Sequence, residues 1–167
     1  RIYRNVVVAD DLYQQRLNLG TIRSDENAWW SLAPHDISVA NRLLGEVPIS
    51  VQCRGQNIVH PKIADTVFAV LEYPGGKLAH VHVSWLDPQK SRKLVVVGSR
   101  KMAIFDDTAE HKLTVFDKGF DKVGDAITLR QGTATYPKID ATEPLALEAQ
   151  HFIDCIRSGA RPISDGV

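Results

Sequence analysis

One segment of the sequence carries residues that could perform acid–base chemistry. His35 directly follows Pro34 and lies a few residues beyond two adjacent tryptophans, Trp29 and Trp30. Proline suits the first position of a helix, because the N–H that it lacks would have no partner there. The pattern therefore predicts a helix that begins at Pro34 and holds His35 in its first turn.

This predicted helix determines what His35 can do. Apolar residues recur beyond it at helical spacing, namely Ile37, Ala40 and Leu44. Gly45 suits a left-handed C-cap, and Asp36 in the first turn is favoured by the helix dipole. A ring near a helix N-terminus stays neutral more readily, and a neutral imidazole can accept a proton from a substrate hydroxyl. The alternative is a histidine that caps the helix or packs against the tryptophans.

Polar residues upstream of this helix could bind a substrate. Arg16 and Asn18 end a predicted strand, running through residues 5–18, on which they share one face with Leu12 and Gln14. The guanidinium group of Arg16 fits a carboxylate or a phosphate with two parallel hydrogen bonds. Asn27 could cap a turn or reach a substrate hydroxyl. A solvated strand end is an equal alternative for Arg16 and Asn18.

The composition limits the classes of partner. Lysine and arginine together number 20, as do aspartate and glutamate, so the formal net charge is zero and indicates neither a nucleic-acid nor an anionic-membrane partner. The apolar runs are too short for a transmembrane helix or a signal peptide. Two distant cysteines, Cys53 and Cys155, are typical of a reduced, cytoplasmic protein, although one disulfide is possible.

The ends of the sequence predict a part of a longer protein. Position 1 is arginine, the only methionine is Met102, and the last residues carry no terminating pattern. We therefore expect the chain to be a piece of that protein, which amounts to one domain in length.

The remaining pattern predicts a sheet of hairpins and a second helix. The clearest hairpin joins strands 65–73 and 77–86 through the turn Pro74–Gly76. Further strands are predicted at 48–54, 94–97, 102–105, 113–116, 127–130 and 133–136, with a turn at 55–57; residues 120–126 are polar. Glu143–Ser158 is predicted to be a helix with Thr142 as N-cap, Gly159 as C-cap and a solvated His151. Its apolar stripe is Leu145, Ala149, Phe152, Ile153 and Ile156.

Two features of the strands could indicate a metal site or a dinucleotide-binding turn. His80 and His82 share one face of the return strand, as zinc-binding pairs do, but no third ligand is placed nearby by spacing. We therefore predict no metal site and favour a subunit contact for that face. Gly98 follows a buried strand but leads into another strand, so it does not form the glycine-rich dinucleotide-binding turn.

The segment Trp-Ser-Leu-Ala-Pro-His-Asp-Ile, residues 30–37, resembles the histidine motif of the glucose-fructose oxidoreductase, inositol dehydrogenase and MocA (Gfo/Idh/MocA) family of NAD(P)-dependent oxidoreductases. In the family motif an Asp precedes the His by four residues; His35 matches the His, whereas Ser31 stands in place of the Asp. This variant is most similar to the nucleotide-sugar 3-dehydrogenase-like subgroup. The stretch from Trp85 to Phe105 and the final helix with residues 161–166 are also similar to the family.

The resemblance implies the C-terminal domain of such a dehydrogenase. Its fold is α+β, a large, predominantly antiparallel open sheet with helices on one face, similar to dihydrodipicolinate reductase and without a Rossmann domain. Residues 1–167 would form the substrate-binding and oligomerisation domain, and subunits would meet through the sheet face as a homo-oligomer. NAD or NADP would bind the full-length protein, and no cofactor is expected to bind this chain alone.

The resemblance also implies roles for single residues. His35 would be the acid/base for hydride transfer in the complete protein, and the residues that bind the sugar or nucleotide sugar would be Arg16, Asn18, Asn27 and Ser31. An anionic sugar such as a nucleotide-sugar acid would suit Arg16. Because Ser31 departs from the motif, the alternative is a stand-alone binding or assembly module that kept this fold without catalysis. A zinc hydrolase built on His80 and His82 is a further alternative.

Overall fold

A computed structural model of the chain describes residues 9–20, 22–140 and 142–163. The chain divides into two compact units, Arg1–Pro137 and Lys138–Val167. The described elements of the first unit are β1 (Ala9–Leu17), α1 (Ala28–Leu44), β2 (Ser50–Gln56), β3 (Thr66–Glu72), β4 (Leu78–Ser84), β5 (Ser91–Gly98), β6 (Met102–Asp106), β7 (Leu113–Phe116), β8 (Gly119–Val123), β9 (Ala126–Arg130) and β10 (Ala134–Thr135). The second unit contains α2 (Pro144–Ser158). The parts of the predicted first strand before Ala9, and of the predicted motif 161–166 after Ile163, lie outside the described residues.

Eight of these strands form one mixed sheet in the order β10-β7-β6-β5-β1-β4-β3-β2. Strands β1 and β4 run parallel, and the other described pairs of this sheet are antiparallel. Helix α1 packs over β1, β3 and β4 and covers one face of the sheet. The core lies between this helix and the sheet and includes Leu12, Ala33, Ala40, Val67, Leu71, Tyr73, Val81 and Val83. This architecture confirms the predicted α+β class.

The hairpin of β3 and β4 is where the sequence predicts structure best. Strict alternation places Ala69, Leu71, Ala79, Val81 and Val83 on the covered face and buries them all. The strands are joined by a short 3-10 turn, Pro74–Gly76, in which Gly75 adopts a φ of 76°, a conformation that glycine reaches without steric cost. The two strands therefore form the predicted hairpin, one face of which packs against α1.

Helix α1 begins earlier than the sequence predicts. Its N-cap is Asn27, whose Oδ1 accepts the N–H of Trp30 at 3.0 Å and satisfies one of the free amides of the first turn. Pro34 consequently lies inside the helix, and the prediction that His35 and Asp36 occupy the first turn is wrong. The predicted C-terminus is confirmed, because Gly45 adopts a left-handed φ of 70° and its N–H bonds to the carbonyl of Asn41.

One predicted turn is wrong and one strand is not predicted. Gly55 and Gln56 continue β2 rather than starting a turn, and Gly119–Val123 forms β8, where the sequence predicts no strand. Strand β9 exists as predicted, but it pairs with β8 in a separate two-stranded sheet. The side chains of β8 and β9 are mostly exposed, so the hydrophobic alternation that marks a buried strand is weak there.

The second unit consists mainly of α2. Glu143, rather than Thr142, is the N-cap, and its Oε2 accepts the N–H of Ala146 at 2.7 Å. Gly159 is the predicted C-cap, with a φ of 68°. His151 is not solvated as predicted, since its Nε2 accepts the N–H of Ile163 at 3.0 Å and lies 3.6 Å from the Sγ of Cys155. The predicted apolar stripe of this helix is exposed.

Two further findings concern the predicted cellular setting. Neither α1 nor α2, the helices in the described part of the chain, is long and apolar enough to cross a bilayer. Cys53 and Cys155 are both free thiols, the first exposed and the second buried.

Candidate active site

The candidate site is organised by an ion pair between β1 and α1. The Nε of Arg16 donates to Oδ2 of Asp36 at 3.4 Å, and its Nη2 donates to Oδ1 at 3.3 Å. Arg16 lies near the end of β1 on the face that α1 covers. Because Asp36 lies on the inward face of α1, its side chain is only 10% exposed, against 24% for Arg16. The pair therefore fixes the end of the strand against the middle of the helix.

Burial dominates the electrostatics of Asp36. Loss of solvent raises the pKa of this carboxyl group, while the positive charges of Arg16 and His35 oppose that rise without cancelling it. The sequence placed Asp36 in the first turn, where only the helix dipole would act on it. Its actual role is that of a buried partner for an arginine. A signal for this was present, because Asp36 and Ala40 are four residues apart on the buried face of the helix.

His35 lies on the exposed side of α1, directly before Asp36. The helix begins at Ala28, so His35 is two turns from the N-terminus, and the dipole effect fades within the first turn. The dipole argument for a neutral ring is therefore wrong. What the structure retains is an imidazole open to solvent, which can exchange a proton with a hydroxyl group placed beside it.

Three of the predicted site residues lie at the start of α1. Ser31 and His35 are four residues apart, which brings their side chains to one side of the helix, and Asn27 precedes the helix. Asn27 is the N-cap, and its carbonyl accepts the N–H of Ser31 at 3.1 Å. Its amide nitrogen remains a donor, since the cap uses only the oxygen. The structure thus places a hydroxyl and an imidazole on one side of α1 and an amide at its N-cap.

The two tryptophans separate as a core and a surface residue. Trp29 packs against the core, whereas Trp30 is 69% exposed. Asn18 lies just after β1, is exposed, and its backbone N–H donates to the carbonyl of Ser84 at 3.0 Å. Arg16 and Asn18 therefore lie together at the end of β1, as predicted, with Arg16 directed to Asp36.

Sequence reasoning missed two buried polar residues near these elements. Gln14 is 2% exposed on the covered face of β1, and its Nε2 has no hydrogen-bond partner among the described residues. Asp65 is fully buried after the β2–β3 loop, where its Oδ2 accepts the N–H groups of Ile58 and Val59 at 2.9 and 2.7 Å. A polar residue within an apolar alternation was the only available signal for Gln14.

Asp65 matters to the site because its loop holds the start of α1. The carbonyl of Ala64, the preceding residue, accepts the N–H of Ala28 at 2.8 Å. The backbone of Asp65 bonds in turn to Gln56 and Trp85. The first residue of α1, and with it the register of Asn27, Ser31 and His35, is therefore anchored to the sheet.

The opposite face of the sheet carries His80 and His82. The ring of His82 stacks on Phe68 with centroids 4.1 Å apart. Burial and the nearby His80 lower the pKa of His82, and Asp87 partly opposes this. A shallow cavity of about 420 Å³ on this face is lined by Gln15, His80, Lys93 and Val95. Within the described ranges, no group of three or more His, Cys, Asp or Glu residues could hold a metal ion.

The family model of the GFO/IDH/MocA C-terminal domain matches residues 9–104, which run from β1 into β6. The chain belongs to this family. The matched range includes Arg16, the α1 residues from Asn27 to Asp36, and the hairpin of β3 and β4. No curated protein matches the chain by sequence.

Solved structures of other proteins share the fold of this GFO/IDH/MocA domain. UDP-N-acetylglucosamine 3-dehydrogenase GnnA from Acidithiobacillus ferrooxidans superposes with a TM-score of 0.82 at 21% identity, over 98% of this chain and 51% of that one. Aldose-aldose oxidoreductase from Caulobacter crescentus, complexed with glycerol, gives 0.72 at 13% identity, over 99% and 50%. The WlbA dehydrogenase from Bordetella pertussis, in complex with NADH and UDP-GlcNAcA, gives 0.66 at 17% identity, over 93% and 47%.

The GFO/IDH/MocA chain thus spans about half the length of each of these structures. At such identities the likeness shows the fold alone. It agrees with the family and the fold class that the sequence predicts, both of which are confirmed.

Proposed function

We propose that residues 1–167 form the substrate-binding and oligomerisation domain of an NAD(P)-dependent sugar or nucleotide-sugar dehydrogenase. The observation that carries this proposal is the placement of Ser31 and His35 one turn apart on α1, with Asn27 at its N-cap, within the matched family domain. The similar structures support it, since GnnA is a UDP-sugar dehydrogenase and WlbA was solved with NADH and UDP-GlcNAcA. We place the protein in the cytoplasm, which its two free thiols support.

The described residues of this chain do not fit a dinucleotide. The parallel strands β1 and β4 are not joined by a glycine-rich turn into a helix, and Gly98 leads into β6. Oxidation of a sugar carbon requires a hydride acceptor, which a nicotinamide bound to another domain would supply. We therefore assign NAD or NADP to the complete protein and not to these residues.

In this proposal His35 is the general base and general acid of the reaction. Its exposed imidazole accepts the proton of the sugar hydroxyl while the carbon that bears this hydroxyl is oxidised, and it returns the proton in the reverse reaction. Asn27 supplies its free amide N–H and Ser31 its hydroxyl to other substrate oxygens. Arg16 and Asn18, at the end of β1, complete the binding residues.

The open face of the sheet is the proposed oligomer contact. Phe68, Val70 and Leu78 are each about two-fifths exposed there, beside His80 and His82. A sheet covered on one side buries its second side most simply against another copy of the same surface. We infer a homo-oligomer in which the open faces of two chains meet.

One observation favours a second candidate, a stand-alone binding or assembly module without catalysis. Ser31 stands one helical turn before His35, where a carboxylate would raise the basicity of the imidazole, and a serine hydroxyl cannot do so. In that case the open sheet face would carry the function, and His35 would only bind or pack.

The test is the oxidation of UDP-GlcNAc and UDP-GlcNAcA by the complete gene product with NAD or NADP, before and after His35→Ala. We expect kcat to fall by about 10²- to 10⁴-fold, the usual contribution of a general base, with KM nearly unchanged. His111→Ala is the matched control, because His111 contacts Tyr136 far along the chain from α1. Full activity of His35→Ala, or no turnover by the wild-type protein, would favour the assembly module.

A further inference from the structure

The ion pair of Arg16 and Asp36 leaves one edge of the guanidinium group without a partner among the described residues. Asp36 occupies Nε and Nη2, which form one side of the fork. The Nη1 donors and the second hydrogen of Nη2 point away from this carboxylate, because the guanidinium group is planar and rigid. That free edge has the geometry that accepts a second carboxylate or phosphate.

The two members of the pair differ in their access to solvent. Asp36 is the buried member, and Arg16 is the partly exposed one. A ligand at the surface would therefore meet the guanidinium group and not the carboxylate. His35 directly precedes Asp36 in α1. Because Arg16 contacts Asp36, a ligand group on the free edge of Arg16 would lie next to the part of α1 that carries His35.

We infer that Asp36 is a positioning residue that holds the guanidinium group of Arg16 so that its free edge binds an anionic group of the substrate beside His35. This inference rests on the proposed function. The anionic group is either the carboxylate of a sugar acid or the diphosphate of a nucleotide sugar, and the guanidinium group binds both in the same way. The charged neighbours that act on Asp36 are Arg16 on β1 and His35 on α1.

Calorimetric titration of this chain tests the inference with four ligands: UDP-GlcNAcA, UDP-GlcNAc, UDP and glucuronate. We expect Asp36→Asn to weaken binding of UDP-GlcNAcA by about tenfold or more, the usual loss for a charged hydrogen bond. Arg16→Lys should weaken it similarly, because lysine keeps the charge without the fork. Glu46→Gln is the matched control, since it removes the Lys77 ion pair at the other end of α1 and should leave affinity unchanged.

The ligand series identifies the anionic group. If Arg16 binds the sugar carboxylate, Asp36→Asn weakens UDP-GlcNAcA and glucuronate but not UDP-GlcNAc or UDP. If it binds the diphosphate, all three UDP compounds weaken together. Either pattern supports the inference. Measuring affinity over a pH series distinguishes this role from a merely structural one. The affinity of the wild type should fall as acid neutralises Asp36, whereas the affinity of Asp36→Asn should show no fall in that pH range.

Two results would overturn the inference, and they are distinguishable. If Asp36→Asn binds like the wild type while Arg16→Gln binds weakly, Arg16 contacts the ligand without help from Asp36, and the proposed function stands. If the wild-type chain binds none of the four ligands, the proposed function fails and the inference fails with it. Thermal denaturation of each variant identifies any loss of binding that reflects unfolding.

Discussion

The two faces of the eight-stranded sheet are built from the same strands and have opposite surroundings. On β3 and β4, Leu71 is 1% exposed beneath α1, whereas Leu78, on the other face, is 42% exposed. Alternation along each strand assigns residues to a face but does not decide whether a face is buried. That is decided by what packs on it, here α1 on one side only.

The polar groups on the two faces also differ in their contacts. Beneath α1, Arg16 forms an ion pair with a buried carboxylate, which fixes the position of its guanidinium group. On the open face, His82 stacks on the ring of Phe68 and stays half-buried. We infer that substrate chemistry uses the covered side, where side chains are held in place. We likewise infer that assembly uses the open side, where apolar side chains are exposed.

The largest effect expected is on stability. Leu71→Ala should lower the free energy of unfolding by about 2–5 kcal/mol, because it leaves a cavity under α1. Leu78→Ala, the same change on the open face, should cost about 1 kcal/mol or less in the monomer. Urea denaturation at low protein concentration measures both. Equal losses would show that the two faces are buried alike.

A smaller loss is expected from the buried carboxylate that anchors α1. Asp65→Ala should destabilise the chain by about 1–3 kcal/mol in total, because it removes the acceptor of two backbone N–H groups. These belong to the exposed residues Ile58 and Val59, where water can replace part of the loss. Asp65→Asn keeps an acceptor oxygen and should cost less. Denaturation of both variants gives the comparison, and an unchanged Asp65→Ala would contradict the anchoring role of this loop.

The covered ion pair should also differ from an exposed one in its response to pH. The pKa of Asp36 is raised above 3.8, so its contribution to stability increases as the pH falls from neutrality and is lost as the pH rises. The pKa of Asp107, paired with Lys112, is lowered below 3.8, so its contribution is lost on acidification. Unfolding free energies of wild type, Asp36→Asn and Asp107→Asn, measured from pH 7 down to about pH 2, should diverge from the wild type in opposite directions. Parallel curves would contradict this contrast.

A substitution on the open face is expected to have the smallest effect on folding and a clear effect on self-association. Val70→Lys should leave unfolding nearly unchanged and abolish self-association, because it places a charge in the proposed contact. Val123→Lys, at an exposed position on β8, is the control. Sedimentation velocity reads the outcome. A wild-type chain that stays monomeric at tens of micromolar would remove the open face from the proposal.

The parts of the fold that the sequence predicts are those with a local physical signal. Alternation and the Pro74–Gly76 turn predict the β3–β4 hairpin, and Gly45 and Gly159 predict where the helices end. Strand β8 escapes prediction because it buries little and so carries weak alternation. Pairing of β9 with β8, rather than with the main sheet, is a tertiary choice that no local signal encodes.

The sequence suggests candidate site residues but does not predict how they are arranged. Pro34 is a residue type that favours the first position of a helix, so the sequence predicts the start there. The observed start depends instead on Asn27 and on the hydrogen bond from Ala28 to Ala64, which joins residues far apart in sequence. Moving the start of α1 by six residues turns Asp36 from a dipole partner into a buried ion-pair partner of Arg16. The roles of Arg16, Asn18, Asn27, Ser31 and His35 toward substrate remain predictions.

The most direct test of the central claim is calorimetric titration of this chain with UDP-GlcNAcA and UDP-GlcNAc. We predict saturable heat for at least one of them, with affinity reduced by Arg16→Gln and unaffected by His111→Ala. The absence of heat at millimolar concentrations of both ligands would contradict a substrate-binding domain. It would leave the fold with an assembly role alone.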